Sequence, residues 1–396
     1  MCPLLIFVTL IVLLIKFVCI FFGTPTKQCY KVFNVPELNF DIPSIELELI
    51  PNQILIHAHI RSLLRNAKEF AFLSTLELMI EELPSWKNMC LDLSNKENFE
   101  FYVMTAIQPF HYNSNVSDCT SNTQQVFVPM HGPWRPSFFS KFIGVKIEGL
   151  RGFDWHSRFL VTDNSIIIGG VDYSKKLLVQ EFHQQAGYFE LKDEEIIENV
   201  HNFVRNEFDN PGQNPIPFPF VGTNKTASTV YDTLLYLIQH SEKSIIIENQ
   251  FFQSTAETTN QIYCLLRKMA VTKPNIAISV LSNGNYELNP GLPCKDSFLK
   301  PICLMFVKSM NDARLLNDLK NVQVIEFQKI FTHNKIFIFD CEIVVMGSFN
   351  VAEESMHADG DYEFGMVVKS PKFAMNYCQW WTDMNVTIKG CKACSL

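Results

Sequence analysis

The sequence predicts an α/β protein of two pseudo-symmetric lobes, each a sheet sandwiched between helices (α-β-α), behind an N-terminal transmembrane helix. Four observations carry this expectation. The pattern His-x-(Lys/Arg)-x₄-Asp occurs twice, as His156-Ser157-Arg158…Asp163 and His333-Asn334-Lys335…Asp340. A glycine-led turn follows each copy, Gly169-Gly170-Val171-Asp172 and Gly347-Ser348-Phe349-Asn350. Helix and strand patterns recur in the same order ahead of both copies, and Pro3 to Gly23 is one apolar run interrupted only by Lys16. From composition, the relaxed motif is expected about 0.09 times in such a chain. Two copies in register therefore read as a duplicated site.

The N-terminal run has about the 20 residues that cross a bilayer. No charge precedes it, and Phe21-Phe22-Gly23 is a poor cleavage site, so the expectation is a retained signal anchor rather than a signal peptide. Three Asn-x-Ser/Thr sequons, at Asn115, Asn224 and Asn385, suggest a single-pass glycoprotein with its body in the secretory-pathway lumen. Lys27 and Lys31, just past the run, favour the opposite orientation under the positive-inside rule.

Beyond residues 1–23, a stem is expected over 24–45, a first lobe over 46–209, a linker over 210–224 and a second lobe over 225–390. The linker assignment rests on Asn210-Pro-Gly-Gln-Asn-Pro-Ile-Pro-Phe-Pro, whose prolines cannot sustain a helix or a central strand. In the first lobe, residues 59–78 read as an amphipathic helix running into a buried strand, and residues 233–252 repeat the pattern. The next strands are Phe101–Thr105 and Ile276–Leu281, then Val145–Ile147 and Val322–Ile325. Helices alternating with strands point to mostly parallel sheets covered on both faces. With 47% apolar and 19% charged residues, the chain is not disordered. A net charge of −8 argues against a broad duplex nucleic-acid surface. Ten cysteines lie past the apolar run; Cys391-x-x-Cys394 is open to a redox pair, half a metal site or incidental bridges.

Each motif reads as strand, turn, strand, and side chains alternate along a strand. His333 and Lys335 therefore share a face, as do His156 and Arg158. An imidazole beside a cation suits a phosphodiester: the cation neutralises non-bridging oxygens, and the ring attacks phosphorus or protonates the leaving oxygen. Two copies supply a nucleophile and a general acid.

These motifs resemble the phospholipase D superfamily, whose signature is His-x-Lys-x₄-Asp followed by Gly-(Gly/Ser)-x-(Asn/Asp), duplicated in a bilobal body with the site between lobes. The resemblance spans roughly residues 45–390. Ile247-Glu248-Asn249-Gln250-Phe251-Phe252 looks like a strand-end motif of the lipid-hydrolysing branch, and Gly169-Gly170-Val171-Asp172 is similar to that branch's first motif. It implies a phosphohistidine on one of His156 and His333 and a proton from the other. By family habit the nucleophile is His156. Arg158 and Lys335 would hold phosphate oxygens, Gly170, Asp172, Ser348 and Asn350 would complete the cradle, and Asp163 and Asp340 would brace turns. Glu248 and Asn249 would support the site. Glu363, in Glu-x-Gly, would orient His333, with Gln185 at the matching place in the first half. Neither cofactor nor metal is implied. The expected substrate is a phospholipid at a membrane, or another phosphodiester. The alternatives are a luminal single-strand nuclease and a degenerate member retained for binding, since Arg158 and Gln185 depart from the family pattern.

Overall fold

The computed structural model describes residue 29 and residues 35–38, 41–76, 84–107, 122–127, 155–169, 172, 182–254, 257–284, 311–358 and 360–394. The first half supplies β1 (Glu48–Ile50), β2 (Phe70–Thr75), β3 (Glu100–Ile107), β4 (Asn122–Phe127), β5 (Phe159–Thr162), β6 (Ser165–Gly169), β7 (Phe182–His183) and β8 (Ala186–Glu190). The second supplies β9 (Phe220–Thr223), β10 (Ser244–Asn249), β11 (Ala277–Asn283), β12 (Val322–Phe327), β13 (Phe331–Thr332), β14 (Lys335–Phe339), β15 (Ile343–Gly347) and β16 (Glu363–Lys369). One seven-stranded sheet runs β1-β8-β6-β5-β2-β3-β4, and the other runs β9-β16-β15-β14-β10-β11-β12. The orders match strand for strand.

Neither sheet is mostly parallel, contrary to the expectation from sequence. Only β2–β3–β4 and β10–β11–β12 pair in parallel; every other neighbour in the two sheets is antiparallel. The motifs themselves cause this. Asp163-Asn164 and the Asp340-Cys341-Glu342 turn are too short for a crossover, so β5–β6 and β14–β15 must fold back as hairpins. Two further readings change. Phe220–Thr223, inside the expected linker, is an edge strand on β16. The partner of β12 in the repeat is β4, whereas Val145–Ile147 lies outside the described residues.

The helices are α1 (Gln53–Asn66), α2 (Pro84–Ser94), α3 (Glu194–Asp209), α4 (Thr229–His240), α5 (Glu257–Thr272), α6 (Glu353–Met356), α7 (Pro371–Asp383) and α8 (Lys389–Lys392). Asn52 caps α1 by accepting from Leu55 N–H, and Asp193 caps α3 by accepting from Glu195 and Ile196 N–H, each satisfying orphan donors of a first turn. Pro371 opens α7, where its missing N–H costs nothing.

Three buried clusters hold the body together. Two lie on the outer faces: Ile56, Ile60, Trp86 and Leu160 in the first lobe, and Leu234, Ile238, Leu265 and Phe337 in the second. The third is shared, with Ile166 and Ile168 of β6 among Met346, Phe364 and Met366 of β15 and β16. The lobes pack closely at Gly187, where a Cβ would meet Leu47 Cδ1 of its own lobe and Met346 Sδ of the other at 2.8 Å. Two short parallel pairings stitch the lobes: β7 with β13, and Trp155 with Tyr362, whose rings stack at 4.1 Å.

The single-pass membrane localisation is corrected. No helix among the described residues is long and apolar enough to cross a membrane, and the Pro3–Gly23 segment lies outside them. The glycoprotein expectation weakens with it. Asn224 is buried: its Nδ2 donates to Asn214 O, and its Oδ1 accepts from Thr226 and Ala227 N–H. Asn385 is exposed after α7, and Asn115 is outside the described residues. Cys391 and Cys394 do not pair with each other; Cys391 bonds Cys378 and Cys394 bonds Cys341, while Cys29 bonds Cys264.

Candidate active site

Both motif histidines sit where the sheets meet, just ahead of β5 and β14 and beside the C-terminal ends of β2 and β10. Each backbone N–H donates across the lobe boundary: His156 to Tyr362 O at 3.1 Å and His333 to His183 O at 2.9 Å. Each cation folds back on its own histidine, with Arg158 Nη1 donating to His156 O at 3.0 Å and Lys335 Nζ to His333 O at 2.8 Å. Arg158 and Lys335 are each 1% exposed, whereas His156 keeps 12% of its side chain exposed. The cations form the floor and the rings the rim.

The orienting groups are exchanged between lobes. Glu363 Oε1 meets His156 Nδ1 at 2.8 Å, not His333 as its position in the second motif led us to expect. The strand register explains the exchange. Gly347 pairs with Gly365, and Gly169 pairs with Ala186, so the residue in the place of Glu363 is Gln184 rather than Gln185. Gln184 Nε2 stands 3.3 Å from His333 Nδ1. Gly169, at φ +153°, must be glycine, because a Cβ would lie 2.9 Å from Gln185 O.

Glu363 is fully buried. Its Oε1 also accepts from Ser355 Oγ at 2.5 Å, and its Oε2 accepts from Ser348 Oγ. Burial lifts its carboxyl to about 7, against the pull of the two serines, Arg158 and Lys335. The His156 ring nitrogen that faces it lies within hydrogen-bond reach. Burial, and then the charge of Arg158, push the Lys335 ammonium well below the usual lysine range, while Glu363 and Asp172 draw it back up. Residues of both motifs therefore share one field.

The two halves differ around their cations. Arg158 Nε donates to Asp172 Oδ1 at 2.8 Å, and its Nη1 lies 3.0 Å from His156 Nε2. Thr75 Oγ1 also faces Asp172, at 3.4 Å. Lys335 Nζ instead donates to Gln250 Oε1 at 2.9 Å. Asn350, the counterpart of Asp172, is buried, and among the described residues its Oδ1 has no hydrogen-bond partner. Ser348, expected in the cradle, is turned onto Glu363 and receives Phe364 N–H at 3.1 Å. Gly170 lies outside the described residues.

The remaining sequence candidates hold the scaffold. Asp163 accepts from Lys68, Glu69 and Phe70 N–H, and Asp340 accepts from Glu242, Lys243 and Ser244 N–H. Each carboxylate thus fixes the start of a central strand at the end of the hairpin remote from the histidine. Asn249 Nδ2 donates to Phe349 O, and Oδ1 accepts from Val351 N–H, holding the turn that carries Asn350. Glu248 lies beneath His333. Gln184, Gln250, Ser355 and Asn334 are functional neighbours that sequence reasoning missed. Gln250 stands in the strand-end segment already singled out, and Asn334 lies between the motif's own histidine and lysine. Among the described residues, no group of three or more His, Cys, Asp or Glu is arranged to hold a metal ion.

A family model described as "Cardiolipin synthase, PLD-like domain" matches residues 234–384, the half with the complete motif. No curated protein sequence matches the chain. Among solved structures, phosphatidylserine synthase of Haemophilus influenzae Rd KW20 superposes with a TM-score of 0.57 at 12% identity, covering 88% of this chain and 87% of that one. Polyphosphate kinase from Porphyromonas gingivalis superposes with a TM-score of 0.51 at 11% identity, covering 84% of this chain and 49% of that one. At these identities the likeness to the two structures is one of fold.

Proposed function

We propose, from the premise that the chain belongs to the phospholipase D superfamily, that it is a phosphodiesterase acting on phospholipid headgroups through a phosphohistidine on His156. The observation that carries this reading is the buried Glu363 carboxylate against His156 Nδ1, beside the Arg158 and Lys335 charges. A carboxylate there keeps the ring proton on Nδ1 and leaves the Nε2 lone pair for attack, then stabilises the charged ring. His156 Nε2 bonds to phosphorus as the P–O bond to the headgroup breaks, and His333 gives the leaving oxygen a proton. Water then attacks phosphorus, returns a proton to His333 and frees His156.

Gln184 suits the acid role of His333. Its Nε2 faces Nδ1 while its buried Oε1 has no partner among the described residues, so a half-turn of the amide would let it accept from the protonated ring. The non-bridging oxygens would take Arg158 Nη1 away from His156 Nε2 and meet Lys335, with the Asn350 Nδ2 group as a further donor. A lipid substrate is supported by the matched family model, named for a cardiolipin synthase, and by the Glu248–Phe252 segment.

A binding role without turnover is the second reading, and one observation favours it: the Arg158 guanidinium, anchored by Asp172, already occupies the nucleophilic nitrogen. The test is to incubate the purified full-length chain with phosphatidylcholine and a primary alcohol, and separately with 5′-labelled single strands. The expected product is the phosphatidyl alcohol. Cleavage of strands alone would move the substrate to nucleic acid, and no product from either would favour binding.

A further inference from the structure

Glu248 is fully buried at the C-terminal end of β10 and takes no part in the chemistry above. Its Oε1 accepts from Thr332 Oγ1 at 2.5 Å and from Asn334 Nδ2 at 3.0 Å, the residues on either side of His333. Its Oε2 accepts from the Tyr377 hydroxyl of α7 at 2.7 Å. Thr332 Oγ1 also accepts from Asn334 N–H at 3.2 Å, closing a small ring of bonds beneath the histidine.

Asn334 continues this network into the other lobe. Its Oδ1 accepts from Gln185 N–H at 2.6 Å, and its Nδ2 faces Gln185 Oε1 at 3.2 Å and His183 Nε2 at 2.9 Å. Between those two anchored residues lies Gln184, whose amide meets His333 Nδ1. A neutral hydrogen bond contributes little beyond the bond to water that it replaces, while ordering a glutamine side chain costs about as much or more. That contact alone would not hold the ring, so the backbone that presents Gln184 must be fixed by something else, and Asn334 fixes it on both sides. The first half is built differently. Ser74 stands in the place of Glu248 and bonds Trp155 Nε1 and Ser157 Oγ, while His156 receives a carboxylate directly.

We propose that Glu248 and Asn334 are positioning residues for His333, a latch that holds the Gln184 amide of the opposite lobe against its ring. The inference rests on the acid role given to His333. It applies to the full-length chain with Glu248→Gln, which keeps shape and volume, and Asn334→Ser, which installs the first-half residue. Two substrates sharing one diacylglyceryl phosphate separate acid support from general damage: dibutyryl phosphatidylcholine, whose alcohol needs a proton to leave, and dibutyryl phosphatidyl-p-nitrophenol, whose phenolate does not. Both variants should lose about a hundredfold in kcat on the choline ester and far less on the nitrophenyl ester. Equal losses on both substrates would overturn the latch. A second measurement does not depend on turnover: the NMR titration midpoint of the His333 ring should move in both variants. A midpoint unchanged in both would overturn the latch even in an active enzyme. An inactive parent whose His333 midpoint still moves would sink the phosphodiesterase reading and leave the latch standing.

Discussion

The two halves share a strand order, a pair of bracing aspartates and a histidine bonded across the boundary, yet they hold those histidines by different chemistry. His156 has a carboxylate on one nitrogen and a guanidinium on the other; His333 has a neutral amide on one nitrogen and a buried network beneath it. Around the cations, Arg158 is neutralised by Asp172, while among the described residues Lys335 donates to an amide oxygen and a backbone oxygen. Matching scaffolds with unlike charge distributions are suited to unlike tasks: one ring stabilised as a cation, the other free to change its proton. The repeat builds the frame, and the departures from it set the two rings in unlike surroundings.

The most damaging way to break the comparison is to remove either ring. His156→Ala and His333→Ala should each lower phosphodiester turnover by about 10⁴-fold or more, and the double variant should be little worse, because members of one catalytic unit are not additive. Activity within threefold of the parent in either would end the two-histidine mechanism. Glu363→Gln comes next, with a loss of roughly 10²–10⁴ in kcat, since an amide holds the ring but does not stabilise its charge.

The same carboxyl sets a pH limb. Burial raises Glu363 to about 7, so below that pH it takes a proton and ceases to support a charged His156. Turnover should therefore fall as pH drops through about 7, and Glu363→Gln should remove this limb from the kcat profile. For stability the sign is opposite: a raised carboxyl pKa favours the fold below its ordinary value of 4.5 and loses that contribution as pH climbs towards 7.

A smaller effect is expected from making the halves alike. Arg158→Lys cannot hold Asp172 and His156 Nε2 together, so it should change the rate by about tenfold or less, and Gln184→Glu should shift the His333 titration upwards. If the parent is inactive and a chain carrying both Arg158→Lys and Gln184→Glu turns over, the binding reading holds for the natural chain. Least should follow at the site from Asp340→Ala. Its effect should appear in chemical denaturation, as a loss of about 2–3 kcal/mol from backbone donors left without their charged acceptor, with kcat of the folded protein nearly unchanged.

The lobes, their order and the motif histidines were legible because duplication makes a pattern count twice. The sheets were misread as mostly parallel, although Asp163-Asn164 and Asp340-Cys341-Glu342 already required antiparallel returns. The edge strands β1 and β9 are too short, at Glu48–Ile50 and Phe220–Thr223, for their periodicity to show. The exchange of Glu363 and Gln184 was hidden for a different reason. Spacing along one motif says nothing about contacts made through a fold, and Gln184-Gln185-Ala186-Gly187 offers two glutamines that only the pairing of Gly169 with Ala186 separates. Asn334 was passed over because a variable motif position carries no signal until its side chain is seen bridging lobes.

The bond from each histidine to a carbonyl of the opposite half has a consequence for how such a chain can change. The exchange is reciprocal, like the self-complementary contact of two identical subunits about a two-fold axis. In a homodimer of single lobes every substitution would appear on both sides at once, and a carboxylate could not face one ring while an amide faced the other. Covalent joining through residues 210–219 lifts that constraint. Arg158 against Lys335, Asp172 against Asn350 and Gln184 against Glu363 are differences that a fused pair can carry and a homodimer cannot.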